Sequence, residues 1–146
     1  MHLLFVFFHM ICCCILALPS LQDVIPEVET LGDSNITLQF PQVILPPEYL
    51  LAENYFYISE MKQTSSADGD WTIASSEITH SLDSTVSSVT MQNLRPDTTY
   101  VFRVLPGRRD PDDKIPQFGT PSNQVTLRTD KSAAEGQPNV MYVTLL

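Results

Sequence analysis

Beyond residue 20 the chain has one histidine, His80, and no cysteine, because Cys12, Cys13 and Cys14 all lie in the first apolar run. Nucleophilic catalysis needs a Ser or Cys held against a base that a third group orients, and zinc needs three or four His or Cys ligands. Neither set can be assembled here. His80 lies in a Ser/Thr-rich run from Ser75 to Ser87 and reads as an exposed bystander. Asp110, Asp112 and Asp113 carry the carboxylate oxygens that calcium takes, about six to eight at a time. Arg108, Arg109 and Lys114 flank them, so this loop neutralises itself in water instead of waiting for a cation. The expectation is therefore no enzyme, no metal, no cofactor and no small-molecule substrate. The residue types that remain suit contact with another protein, in which aromatic rings and arginines carry most of the binding energy. On that ground the candidate protein-binding residues are Tyr49, Arg108, Arg109 and Phe118.

The elements that must position them are strands. Val89 and Met91 alternate with Thr90 and Gln92, and Tyr100, Phe102 and Val104 alternate with Val101 and Arg103. A period of two marks a half-buried strand. Between the two runs, Pro96 fixes its own φ and pushes Arg95 out of the helical region, and Asp97 can bond its own downstream backbone, so the break is a turn. In sandwich folds a Tyr just past such a corner buries its ring and bonds its hydroxyl to the chain a few residues upstream. Tyr100 is the candidate. Ile36, Leu38 and Phe40 make an earlier strand with one apolar face, and Tyr55 to Met61 a third whose two faces are both apolar in part. Phe56 and Ile58 are expected inward, with Tyr55, Tyr57 and Ser59 outward. The expected core is Tyr100, Leu94, Phe102, Phe40 and Ile58. Trp71 opens a short edge strand, Trp71-Thr72-Ile73, which it is expected to plug.

Net charge is −9, unevenly spread: twelve acids face three bases up to Gly107, and five face five beyond it. An acidic body is a poor partner for nucleic acid. Leu3 to Leu18 is almost unbroken apolar sequence, and sixteen residues fall short of the roughly 20 a spanning helix needs. Residues 1–20 therefore read as a secretory signal peptide with cleavage near Ser20. The mature chain would then be thiol-free, and Asn35-Ile36-Thr37 makes Asn35 a candidate glycosylation site. Residues 24–131 are assigned to one domain. Residues 132–146 are assigned to a polar linker and a β-prone run, Asn139 to Leu146, with Pro138-Asn139-Val140 echoing Pro26-Glu27-Val28 about one domain length later. That echo leads to the expectation that a second domain begins there. A membrane would be met only through sequence beyond residue 146.

Leu94-Arg95-Pro96-Asp97-Thr98-Thr99-Tyr100 has the form Leu-x-Pro-x-Thr-x-Tyr, and Gly119, Ser122, Val125, Leu127 and Thr129 follow in order. On these residues the chain resembles the fibronectin type III family over about residues 24 to 131. The resemblance implies an all-β, seven-stranded antiparallel immunoglobulin-like sandwich. It also implies that Phe102, standing where immunoglobulin domains have a disulfide cysteine, leaves the core closed by packing with no disulfide. Arg108-Arg109-Asp110 lacks the glycine of the adhesive Arg-Gly-Asp tripeptide found in some relatives, so integrin binding is not implied. The function expected is an extracellular interaction or adhesion module, the N-terminal part of a cell-surface receptor or adhesion protein, secreted or on the outer side of the plasma membrane, whose partner is another extracellular protein. The alternatives are a spacer in a tandem array or a small secreted single-domain protein.

Overall fold

The computed structural model describes residues 18–45, 54–64, 69–109 and 115–132. Among the described residues nine antiparallel strands form two layers: β1 (Glu27–Leu31), β2 (Ile36–Pro41), β3 (Tyr55–Gln63), β4 (Thr72–Ile73), β5 (Ile78–Thr79), β6 (Val86–Met91), β7 (Thr99–Arg108), β8 (Gln117–Phe118) and β9 (Val125–Arg128). One sheet runs β1-β2-β6, and the other is built on the β3–β7 pair with β4, β5, β8 and β9 around it. The seven expected strands are present. β5 and β8 are two-residue additions, one in the Ser/Thr-rich run and one in the long charged loop.

The core lies between the sheets. Ile36, Leu38 and Phe40 from β2, Val89 and Met91 from β6, and Tyr100, Phe102 and Val104 from β7 all turn into it, with Leu94 at the corner. Each comes from a run with period-two alternation, which is why the sheets bury one face of these strands. The corner is tied as sandwich geometry requires. Arg95 N–H donates to Tyr100 Oη at 3.0 Å, while Asn93 and Asp97 take the left-handed φ values of 58° and 51° that Asn and Asp tolerate. A second tie escaped the sequence reading. Thr129, 2% exposed, donates to the Arg95 carbonyl at 2.6 Å and accepts from Thr98 N–H at 3.0 Å, stapling the end of β9 to the corner.

Ile58 is a correction. It does not share this core but joins Phe56 and Leu105 in a separate cluster on the opposite face of the same sheet. Tyr57 occupies the inward position instead, fully buried and edge-on to Phe40 at 5.1 Å between ring centroids. Ser59, expected outside, is buried beside it. The register of β3 is thus one residue from the expected one, and a one-residue slip exchanges the two faces of a strand.

The sandwich also takes in Pro19 to Leu21, ahead of the start expected at residue 24. Leu21 is 1% exposed and belongs to the core, and its N–H donates to the Thr120 carbonyl at 2.9 Å. Thr120 N–H donates back to the Pro19 carbonyl at 3.1 Å. Gly119 permits this approach, since a Cβ there would fall 1.7 Å from the Pro19 oxygen. With all three cysteines at 12–14, the two sheets are joined without a disulfide.

Candidate protein-recognition face

β3 and β7 pair over nine positions, from Tyr55↔Arg108 to Gln63↔Tyr100, so residues opposite each other share a face. The face turned away from the core carries Phe56 and Gly107, Ile58 and Leu105, then Glu60 and Arg103. Phe56, Ile58 and Leu105 are nearly as buried as core residues, at 4%, 3% and 9% exposed. An outer sheet face buries apolar groups only when something covers them. Here Phe118, brought in by the Gly107↔Phe118 pairing of β8, sets its ring edge-on to Phe56 at 5.8 Å. The Arg109 guanidinium lies 4.7 Å from the same ring's centroid. Gly107 is what lets the ring lie flat on the strand, because a Cβ there would come within 2.3 Å of it.

Arg109 is held in place by Glu77, with both guanidinium amino groups donating to the carboxylate and the Nη1 bond at 2.6 Å. A two-point fork of this kind orients the guanidinium as well as neutralising it. The bond to Arg109 holds the Glu77 carboxyl below the usual carboxylate range, and Glu77 in turn raises Arg109. Farther along the strands Glu60 accepts from Arg103 at 2.7 Å. Arg103 lies 4.1 Å from the Trp71 ring centroid, and Lys62 Nζ lies 5.1 Å from it. Trp71, half-buried, is therefore more than an edge plug: it is the π surface on which two cations of this face rest. Ile73, paired with Glu60 and 65% exposed, and Phe118, paired with Gly107 and 38% exposed, add apolar surface on the strands that flank the β3–β7 pair.

Of the four candidate binding residues, the structure brings Arg109 and Phe118 together over Phe56. Arg108 is a correction. It ends β7 on the core side, opposite Tyr55, and is only 8% exposed, with Nη2 donating to Gln117 Oε1 at 3.3 Å. A side chain held inside the sandwich is not presented to a partner. Tyr49 lies outside the described residues, as do Asp110, Asp112 and Asp113. Asn35 is exposed in the turn after β1, where its carbonyl accepts from Gly32 N–H at 2.9 Å.

His80 is a further correction, being neither exposed nor a bystander. Its Nδ1 lies 2.7 Å from Tyr57 Oη, and Val43 N–H donates to that same hydroxyl at 3.1 Å. The hydroxyl, accepting from Val43, can give its proton to Nδ1, and with that assignment the ring is the neutral tautomer with its proton on Nε2. Burial pushes the Tyr57 hydroxyl up to about 12, the Val43 bond opposing it, and burial pushes the His80 imidazole down. The arrangement closes one pole of the sandwich. It holds no nucleophile to activate. Among the described residues no group of three or more His, Cys, Asp or Glu could hold a metal ion, and no helix is long and apolar enough to cross a membrane.

No protein-family model matches the sequence. No curated protein matches it either. Solved structures do resemble the fold. The sensor domain of the anti-sigma factor RsgI4 from Pseudobacteroides cellulosolvens aligns over 86% of this chain and 94% of its own, with TM-score 0.50 and 14% identity. Astrotactin-2, a vertebrate membrane protein, aligns over 77% of this chain and 22% of its own, with TM-score 0.50 and 16% identity. The third fibronectin III domain of the human KIAA0343 protein aligns over 83% and 90%, with TM-score 0.47 and 16% identity. At these identities the first two likenesses concern the fold alone.

Proposed function

We propose that this chain is an extracellular protein-recognition module of the fibronectin type III kind, non-catalytic, and directed to the secretory route by the apolar run Leu3–Leu18. Its binding surface is the outer face of the β3–β7 sheet, with Phe118, Arg109 and Trp71 as contacts. The observation that carries the reading is the set of cations braced against aromatic rings there. Arg109 is held by Glu77 over Phe56, and Arg103 by Glu60 over Trp71, with exposed Ile73 and Phe118 on the flanking strands β4 and β8. Side chains already ordered lose little entropy on binding, and aromatic and arginine groups dominate protein interfaces. The apolar Leu3–Leu18 run and an exposed Asn35 in an acceptor triplet agree with an extracellular setting. The partner would be another extracellular protein.

The test expresses the full chain in a eukaryotic secretory cell line and screens the product, as a multivalent probe, against arrayed extracellular domains. Phe118→Ala, Arg109→Ala and Trp71→Ala should each weaken a captured interaction at least tenfold. Binding that survives all three would place recognition elsewhere, and retention of the chain inside the cell would remove the extracellular reading.

A further inference from the structure

The strand β6 is paired on one side only. Its register with β2 is unbroken from Ile36↔Met91 to Pro41↔Val86, and no other described strand pairs with it. Open edges are normally blunted by charge, proline or a bulge. β1 has all three, with Glu27 and Glu29, the preceding Pro26, and a register shift between Val28 and Thr30. β9 carries Arg128. β6, with the sequence Val-Ser-Ser-Val-Thr-Met, has none of these devices.

The phase of the ladder identifies the groups left over. Gln42 N–H donates to the Thr85 carbonyl at 2.9 Å, so alternation along an antiparallel pair turns the backbone of Ser87, Val89 and Met91 toward β2. The backbone of Val86, Ser88 and Thr90 then points to the open side. The Val86 carbonyl is capped by Ser84 Oγ at 2.7 Å. Ser88 and Thr90 face a groove of about 520 Å³, whose other wall includes Ile73, Ala74 and Ile78 and whose lining holds no charged residue.

We propose that Asn139–Leu146 adds to this edge as a fourth strand of the β1-β2-β6 sheet, antiparallel to β6. The eight residues are uncharged, contain no Pro or Gly, and are rich in the β-branched and aromatic types that strands prefer. Met141, Val143 and Leu145 fall on one face of an extended strand, to which the groove wall offers Ile73, Ala74 and Ile78 beside Ser75 and Ser76. The path is short enough. Asp130 N–H donates to the Gly32 carbonyl and Leu94 N–H to the Ser34 carbonyl, so the chain leaving β9 and the end of β6 meet at the same β1–β2 turn. Crossing from β1 to the open side of β6 takes about 10 to 15 Å at ~4.8 Å per strand. The six residues 133–138 reach up to about 20 Å. Of the residues assigned to the recognition face only Ile73 also lines this groove, and the strand proposed here joins the other sheet.

Amide hydrogen exchange on the full chain tests it. The amides of Ser88 and Thr90 should be protected like those of Val89 and Met91. In the Val143→Pro/Thr144→Pro double variant, which removes one tail amide of each phase, Ser88 and Thr90 should exchange at least tenfold faster. Val89 and Met91 should be unchanged, reporting that the sandwich is intact. Protection that disappears on dilution places the added strand on a second copy, and protection that persists in a monomer places it on the same copy. Rapid exchange at Ser88 and Thr90 in the unaltered chain, or protection that the double variant leaves untouched, would overturn the proposal.

Discussion

Lowering the pH from 7.5 to 5.5 should destabilise this protein through one side chain. His80 is 9% exposed and the only described histidine, and its Nδ1 lies 2.7 Å from Tyr57 Oη, where the neutral ring protonated on Nε2 accepts. Protonation would turn that nitrogen into a donor. The tyrosine oxygen would then face donors from both Val43 and His80, and its own proton would lose its partner in the core. Burial holds the folded-state imidazole below its ordinary 6.5, so the unfolded chain binds the proton more readily than the folded one. The associated stability is fully present above pH 6.5 and is lost as the pH falls from there toward the lower folded value. If the folded ring stays neutral throughout, the loss at pH 5.5 is at most about 1.4 kcal/mol, one unit below the unfolded pKa. For a domain of this size that is a fall in Tm of roughly 5 to 10 °C. Thermal unfolding of the full chain at pH 7.5, 6.5 and 5.5 measures it, with His80→Gln as the control from which the titrating group is gone. The remaining ionisable groups are common to both proteins. Equal pH slopes in the two would refute the assignment of His80 as a buried neutral acceptor.

Three other outcomes follow from the packing. Tyr100→Phe leaves the Arg95 N–H without its acceptor and should cost on the order of 1 to 3 kcal/mol in urea unfolding, with the fold retained by circular dichroism. Gly107→Ala puts a methyl group against the Phe56 ring and should cost about 1 to 3 kcal/mol while lifting Phe118 and Arg109 from their seats, read as a changed environment for Phe118 in aromatic NMR. Leu21→Ala should cost about 2 to 5 kcal/mol, and a chain begun at Val24 should be less stable than one begun at Leu18, because residues 19–21 are part of the sandwich.

Where one face of a strand was apolar and the other polar, the sequence was enough. β2, β6 and the first half of β7 each repeat that alternation, and the corner between the last two is written in Pro96, Asp97 and Tyr100. The pieces that stayed hidden were contacts between distant segments. Nothing near Thr129 says that its hydroxyl will bond to the Arg95 carbonyl, 34 residues away. Nothing near Leu21, which follows the apolar run Leu3–Leu18, marks it as core. His80 looked exposed because its neighbours are Ser and Thr, yet its environment is set by Tyr57 and Val43 across the sandwich. The candidate site was legible only in part for the same reason: Arg108 and Arg109 are adjacent, and adjacency in a strand sends two side chains to opposite faces.

The register of β3 is decided by its charged residues. Phe56 and Ile58 against Tyr55 and Tyr57 is a near-balanced choice on hydrophobicity alone. The charges are not balanced. Glu60 and Lys62 share their parity with Phe56 and Ile58, whereas Tyr55, Tyr57, Ser59 and Met61 are all uncharged. Turning Phe56 inward would carry a carboxylate and an ammonium between two sheets, where neither has a partner, and burying an unpaired charge costs far more than exposing a phenyl ring. Turning Tyr57 inward costs only one hydroxyl, which Val43 and His80 satisfy. The penalty that decides the register therefore also creates the candidate face, since it leaves Phe56 and Ile58 on the outside of the sheet. There they must be covered by Phe118 and Arg109, and Glu60 and Arg103 are left free to pair beside Trp71.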